Sequence, residues 1–152
     1  MVDGVDTFTD RYVYSGGTRC KVNPLIPNQT IVSEFKDLGM NFYSIKAARP
    51  SPKRKVMHFG MKMDSIEDLH HKSKPFLSTG IYEPTKFLKM EVKFGNGLIP
   101  NDAKLYIYKN CIDQQPVKQE NLVFDANSKS ITYEIKYPIY GYKYVICWNF
   151  DN

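Results

Sequence analysis

The chain has 152 residues, 42% apolar and 24% charged, and a net charge of +5. That size and mixture fit one globular domain spanning 1–152 and exclude a disordered chain. No apolar run approaches the roughly 18–20 residues of a membrane span, and the acidic opening Met1-Val2-Asp3-Gly4-Val5-Asp6 does not read as a secretory signal.

Composition favours strands. Eleven Tyr and nine Phe suit half-buried pleated surfaces, and nine Gly and nine Pro supply turns. Phe8, Tyr12 and Tyr14 predict a first strand, ended by Gly16-Gly17. Pro24 and Pro27 mark a loop. In Thr30 to Gly39, Ile31, Phe35 and Leu38 fit one helix face, and Gly39 fits a C-terminal cap. The β-branched Thr30, Ile31 and Val32 pull toward a strand, but the balance favours a short helix. Asn41 to Ile45 reads as a strand.

A basic segment follows. Lys46, Arg49, Lys53, Arg54 and Lys55 fall within ten residues that hold no acid, so this segment equals the whole net charge. Pro50 and Pro52 hold it extended. Five cations on a stiff loop are an anion-binding candidate for the phosphates of a nucleotide, nucleic acid or lipid. Arg49 and Arg54 are the specific contacts to expect, because guanidinium forks match phosphate oxygens. Such a run also serves many proteins only as a solvated surface.

Met57, Phe59, Met61 and Met63 alternate with His58, Gly60 and Lys62, which predicts a strand with a core stripe. Ser65-Ile-Glu-Asp68 resembles a capping box that opens a helical turn or two through His71. Lys72 to Tyr82, with Pro75 and Gly80, reads as loop.

The second half is more regular. Leu88, Met90, Val92 and Phe94 alternate with charged residues across Lys86 to Phe94. Ala103, Leu105 and Ile107 alternate with Lys104, Tyr106 and Tyr108. Cys111 to Glu120 reads as a loop or short edge segment. Leu122 to Phe124 and Ile131 to Tyr137 form a hairpin across Asp125 to Lys129. The last strand, Tyr142 to Asn149, is apolar on both faces from Tyr144 to Trp148, so it is central. The expected fold is all-β: an antiparallel two-sheet β-sandwich, immunoglobulin-like or related, of seven to nine strands with one or two short helices.

Chemistry is less legible. No G-x-S-x-G, H-E-x-x-H, P-loop or zinc-site spacing occurs. His70 and His71 would diverge by about 100° on a helix and cannot easily share a metal. No metal or cofactor is therefore expected. The leading expectation is a non-enzymatic recognition module, alone or within a larger protein, that binds a protein partner or a small anionic ligand. Tyr106 and Tyr108 are the partner-binding candidates, because they lie opposite the buried face of their strand and tyrosine is a favoured contact residue. The alternatives are nucleic-acid or nucleotide-phosphate binding through 46–55, and a hydrolase or transferase whose site gathers dispersed Asp, Glu and His.

Cys20, Cys111 and Cys147 are too few and too spread for a disulfide scaffold, and with no signal sequence they point to a reducing, cytoplasmic setting. All three are expected to be thiols. Thiol titration of the denatured protein without reductant should count three, and a lower count would contradict that assignment.

Overall fold

The computed structural model describes residues 6–12, 19–37, 40–47, 56–66, 75–95, 97–110 and 112–150. They form twelve strands and no helix: β1 (Thr7–Tyr12), β2 (Arg19–Pro24), β3 (Thr30–Asp37), β4 (Met40–Lys46), β5 (Met61–Ile66), β6 (Phe76–Gly80), β7 (Phe87–Lys93), β8 (Asp102–Tyr108), β9 (Lys118–Asn121), β10 (Phe124–Asp125), β11 (Ser130–Lys136) and β12 (Lys143–Asn149). All pairings are antiparallel and no sheet closes on itself. Among the described residues no helix is long and apolar enough to cross a membrane. The chain divides into two compact units, Met1–Ser73 and Lys74–Asn152.

The second unit matches its sequence pattern most closely. One sheet has the order β6-β12-β8-β9 and the other β10-β11-β7. Their inner faces meet in one core. Leu105, Ile131 and Ile146 have no exposed surface, and Met90, Ala103, Ile107, Tyr144 and Trp148 are buried with them. Phe94 packs edge-on against Phe124, Trp148 and Phe150. The Tyr144 ring lies near that of Tyr133, and its hydroxyl accepts a hydrogen bond from the Ile139 N–H at 3.1 Å. This sandwich-like packing is what period-two alternation requires of two sheets. The strand order differs from the immunoglobulin expectation. Immunoglobulin sheets pair the first strand with the second, whereas here β6 pairs with the last strand, β12, and β7 with β11.

Two further expectations are corrected in this unit, and a third is met. Lys72 to Tyr82 is not all loop: β6 pairs with β12 from Phe76 to Gly80. Pro75 and Gly80 bracket that strand rather than break it. The polar segment after Cys111 ends in β9, a short edge strand, in line with its reading as a loop or short edge segment. The hairpin strand begins at Phe124 rather than Leu122, because the Leu122 N–H donates to the Ala103 carbonyl and stays with β9.

In the first unit, β1-β4-β3 form one sheet and β2-β5 another. Val22, Tyr43 and Ile45 are buried, with Ile31, Phe59, Met61 and Met63 packed on them. The Phe59–Met61–Met63 stripe is therefore core. The helix expected over Thr30–Gly39 is the strand β3. A β-bulge between Ile31 and Ser33 shifts the register there. Ile31 stays opposite Ile45, facing the core. Phe35, four residues on, moves opposite Phe42 and turns to the outer face, where the two rings stack at 4.9 Å. Spacing of i, i+4 on one face suggested a helix, but the bulge breaks that face in two. Ser65 and Ile66 continue β5 instead of capping a helix, and the rest of that expected helix lies outside the described residues.

The Gln29 side chain joins two loops of this unit. Gln29 is buried; its amide donates to the His58 carbonyl at 2.5 Å and accepts from the Gly60 N–H at 3.4 Å. The Leu25 N–H donates to the Gly60 carbonyl at 2.8 Å. A Cβ at position 60 would press to 3.1 Å on both Leu25 and Ile26, so these neighbours would have to give by a few tenths of an ångström. Gln29→Ala removes both hydrogen bonds from these part-buried backbone groups and should cost about 0.5–1.5 kcal/mol. Chemical denaturation should show the loss, and hydrogen exchange should place it at the Leu25 and Gly60 amides.

Candidate functional site

The Lys74–Asn152 unit presents a second face of its four-stranded sheet, away from the core. Register fixes which side chains share it. Lys143 lies opposite Tyr108 and Gly80, Val145 opposite Tyr106 and Ser78, and Cys147 opposite Lys104 and Phe76. Gln119 of β9 lies opposite Tyr106. Directly opposed residues project to the same side of a pleated sheet. The face is thus apolar and aromatic at its centre, with lysines at two corners.

Burial grades it. Val145 is buried at the centre, whereas Phe76, Tyr106, Tyr108 and Cys147 are half-buried. Gly80 carries no side chain, and a Cβ there would lie 2.5–2.6 Å from the Tyr82 ring. The ring of Tyr82 therefore lies over Gly80 and joins the tyrosine group, with 44% of the residue exposed. Asp102 receives the Asn149 side-chain amide at 2.7 Å and approaches Lys104 at 3.8 Å. That leaves Lys104 loosely neutralised at one edge.

Both tyrosine candidates fall where the alternation places them, opposite Leu105 and Ile107. Desolvation pushes the Tyr108 hydroxyl above the usual phenol range, with smaller contributions from Cys147 and Tyr106. Tyr133, on the inner side, is raised by desolvation first and then by Glu120 and Tyr144. Cys147 is a half-buried thiol, not half of a disulfide.

The anion candidates divide. Lys46 ends β4 and pairs with Asp6 at 3.5 Å. The Thr7 hydroxyl first, and the Lys46 ammonium after it, hold the Asp6 carboxyl below its usual range against a burial cost. Lys46 is thus partly neutralised. Arg49, Lys53, Arg54 and Lys55 lie outside the described residues, as do His70, His71 and Cys111. His58 takes part through its backbone carbonyl. Among the described residues no three His, Cys, Asp or Glu side chains gather as metal ligands. A groove of about 300 Å³ runs along the bulge of β3, lined by Val22, Ile31, Val32, Ser33 and Glu34. One carboxylate and one hydroxyl there make no catalytic pair.

The sequence reading missed Phe76, Tyr82 and Val145 as parts of this face. Phe76, Ser78 and Gly80 alternate with Leu77 and Thr79, but the five residues Phe76–Gly80 are too short a signal. Comparison with known protein families, with curated proteins and with solved structures gives no match.

Raised hydroxyls at Tyr108 and Tyr133 have a consequence for stability. Their ionised forms are disfavoured in the folded state, so the unfolded chain ionises them first as pH rises. Stability is therefore intact below the ordinary phenol range, around pH 10, and falls as pH climbs through it. Absorbance titration should show late-ionising tyrosines, and Tyr108→Phe should remove part of that late fraction. A titration unchanged in Tyr108→Phe would contradict the assignment.

Proposed function

We propose that this protein is a non-enzymatic recognition module, and that its Lys74–Asn152 unit engages a protein partner through the face carrying Tyr82, Tyr106 and Tyr108. The observation that carries the reading is the composition of that face. A central sheet surface with a buried Val145, half-buried tyrosines and flanking lysines has the aromatic centre and polar rim of a protein contact surface. Tyrosines supply large contact area at low entropic cost, since each has only two side-chain torsions. Three cysteines, too few and too spread for a disulfide scaffold, favour a reducing setting as part of the same proposal.

A phosphate-bearing ligand is the second reading. It is favoured by the five cations of 46–55, which no acid interrupts. The two readings separate by experiment. Tyr106→Thr with Tyr108→Thr retains β-forming residues while deleting the rings. If the tyrosine face is the contact, this pair should weaken binding of the partner about ten-fold or more, as loss of central aromatics does. Affinity capture from source cells, run side by side with the wild type, should lose specific proteins that the Arg49→Ala, Arg54→Ala pair retains. Captured proteins unchanged by the tyrosine pair would overturn the reading. So would saturable binding of single-stranded DNA, RNA or nucleotides that depends on Arg49 and Arg54 and falls steeply with salt.

A further inference from the structure

Among the described residues, one long sheet edge of the second unit carries no further strand. β7 pairs with β11 on one side only, from Phe87–Lys136 to Lys93–Ser130. Hydrogen bonds at both ends fix which of its peptide groups are used. The Phe94 N–H donates to the Lys129 carbonyl and the Tyr137 N–H to the Lys86 carbonyl. In an antiparallel ladder alternate residues bond to the same neighbour. The even-numbered residues of β7 therefore bond to β11, and the peptide groups of Phe87, Lys89, Glu91 and Lys93 point to the outer edge. Among the described residues no backbone group meets them there.

The other edges of this unit are blunted. β9 is four residues, Lys-Gln-Glu-Asn, and β10 is two. β6 has five residues. β7 has seven, with no proline and no bulge. Exposed long edges invite pairing, and proteins normally limit it with charge. Here the charges do more than repel. Lys89 and Glu91 flank Met90, the middle residue of the strand.

We propose that β7 pairs antiparallel with β7 of a second copy of this chain, about a two-fold axis beside Met90. That register places Lys89 opposite Glu91 of the second copy and Glu91 opposite its Lys89. Phe87, 49% exposed, lies opposite Lys93 of the second copy, whose aliphatic stem can cover the ring. Each of these is a pair of odd-numbered residues, the parity whose peptide groups point outward. Leu88 meets Val92, and Met90 meets Met90, on the core side. Shifting by one pleat in either direction opposes Lys89 to Lys89 or Glu91 to Glu91, and parallel pairing stacks like on like. Of the registers that align the whole strand, only the centred antiparallel one is charge-complementary. Lys89 already approaches Glu134 of β11 at 3.5 Å, so the pairing extends a Glu134–Lys89–Glu91 charge row across the axis. The two three-stranded sheets become one of six strands.

The test is sedimentation velocity of the full chain over a range of concentrations, with four variants. Wild type should form a concentration-dependent dimer. Lys89→Glu and Glu91→Lys each turn two attractive cross-strand pairs into two repulsive ones, and each should weaken association about 10–30-fold. Carrying both changes together restores opposite charges and should restore the dimer. Glu91→Pro removes an outward N–H that β11 does not use, so it should abolish the dimer while leaving the thermal transition in place. A wild type that stays monomeric throughout overturns the proposal. A dimer indifferent to the single variants, or one that the double swap fails to restore, overturns it as well.

Discussion

The final strand of the chain is apolar on both sides, and the second unit is arranged around that fact. Tyr144, Ile146 and Trp148 face the core while Val145 and Cys147 face the other way. A strand with no polar face cannot sit at an edge without exposing apolar surface and unpaired backbone together. β6 and β8 flank it and use both rows of its peptide groups. The first and last strands of the unit thereby become neighbours. Among the described residues the Trp148 indole N–H is buried without an acceptor. Packing of that ring against Phe94 offsets a donor left without a partner.

The same constraint creates the tyrosine face. Burying one side of β8 leaves Tyr106 and Tyr108 on the other, and pairing β6 beside β12 brings Phe76 and Tyr82 to them. The glycine at position 80 matters because any side chain would displace the Tyr82 ring. Half-burial keeps these rings ordered while leaving surface to cover, and order before contact lowers the entropic cost of binding. The β7 edge lies on the other sheet, so a second copy and a partner protein would use different elements of the unit.

The first unit is held by different means. Its two sheets are small, and among the described residues Val22, Tyr43 and Ile45 form its buried cluster. The Gln29 amide stands in for backbone pairing between 29 and 58–60. The bulge in β3 turns Phe35 out onto Phe42 and leaves Val32 exposed. An apolar pair on the outer side of a sheet is surface that core packing did not demand.

By itself the sequence determined the strands whose alternation runs six residues or more. β7, β8, β11 and β12 lie where apolar and polar residues alternate, because burial of one face is a local pattern that needs no knowledge of the partner. The central place of β12 and the outward side of Tyr106 and Tyr108 follow from the same rule. The Met61–Met63 core stripe does too. What tertiary structure decided are the elements whose own pattern is weak or misleading. β6 is a strand because β12 needs a neighbour, and its five residues do not announce it. β3 carries helical spacing, yet pairing with β4 converts it into a strand whose bulge divides the apparent face. β2 runs into Pro24 and exists through its register with β5. Strand order was likewise beyond the sequence, since alternation tells which face is buried but not which backbone edge meets which. The face joining Phe76, Tyr82 and Val145 to the two tyrosines came from that order alone.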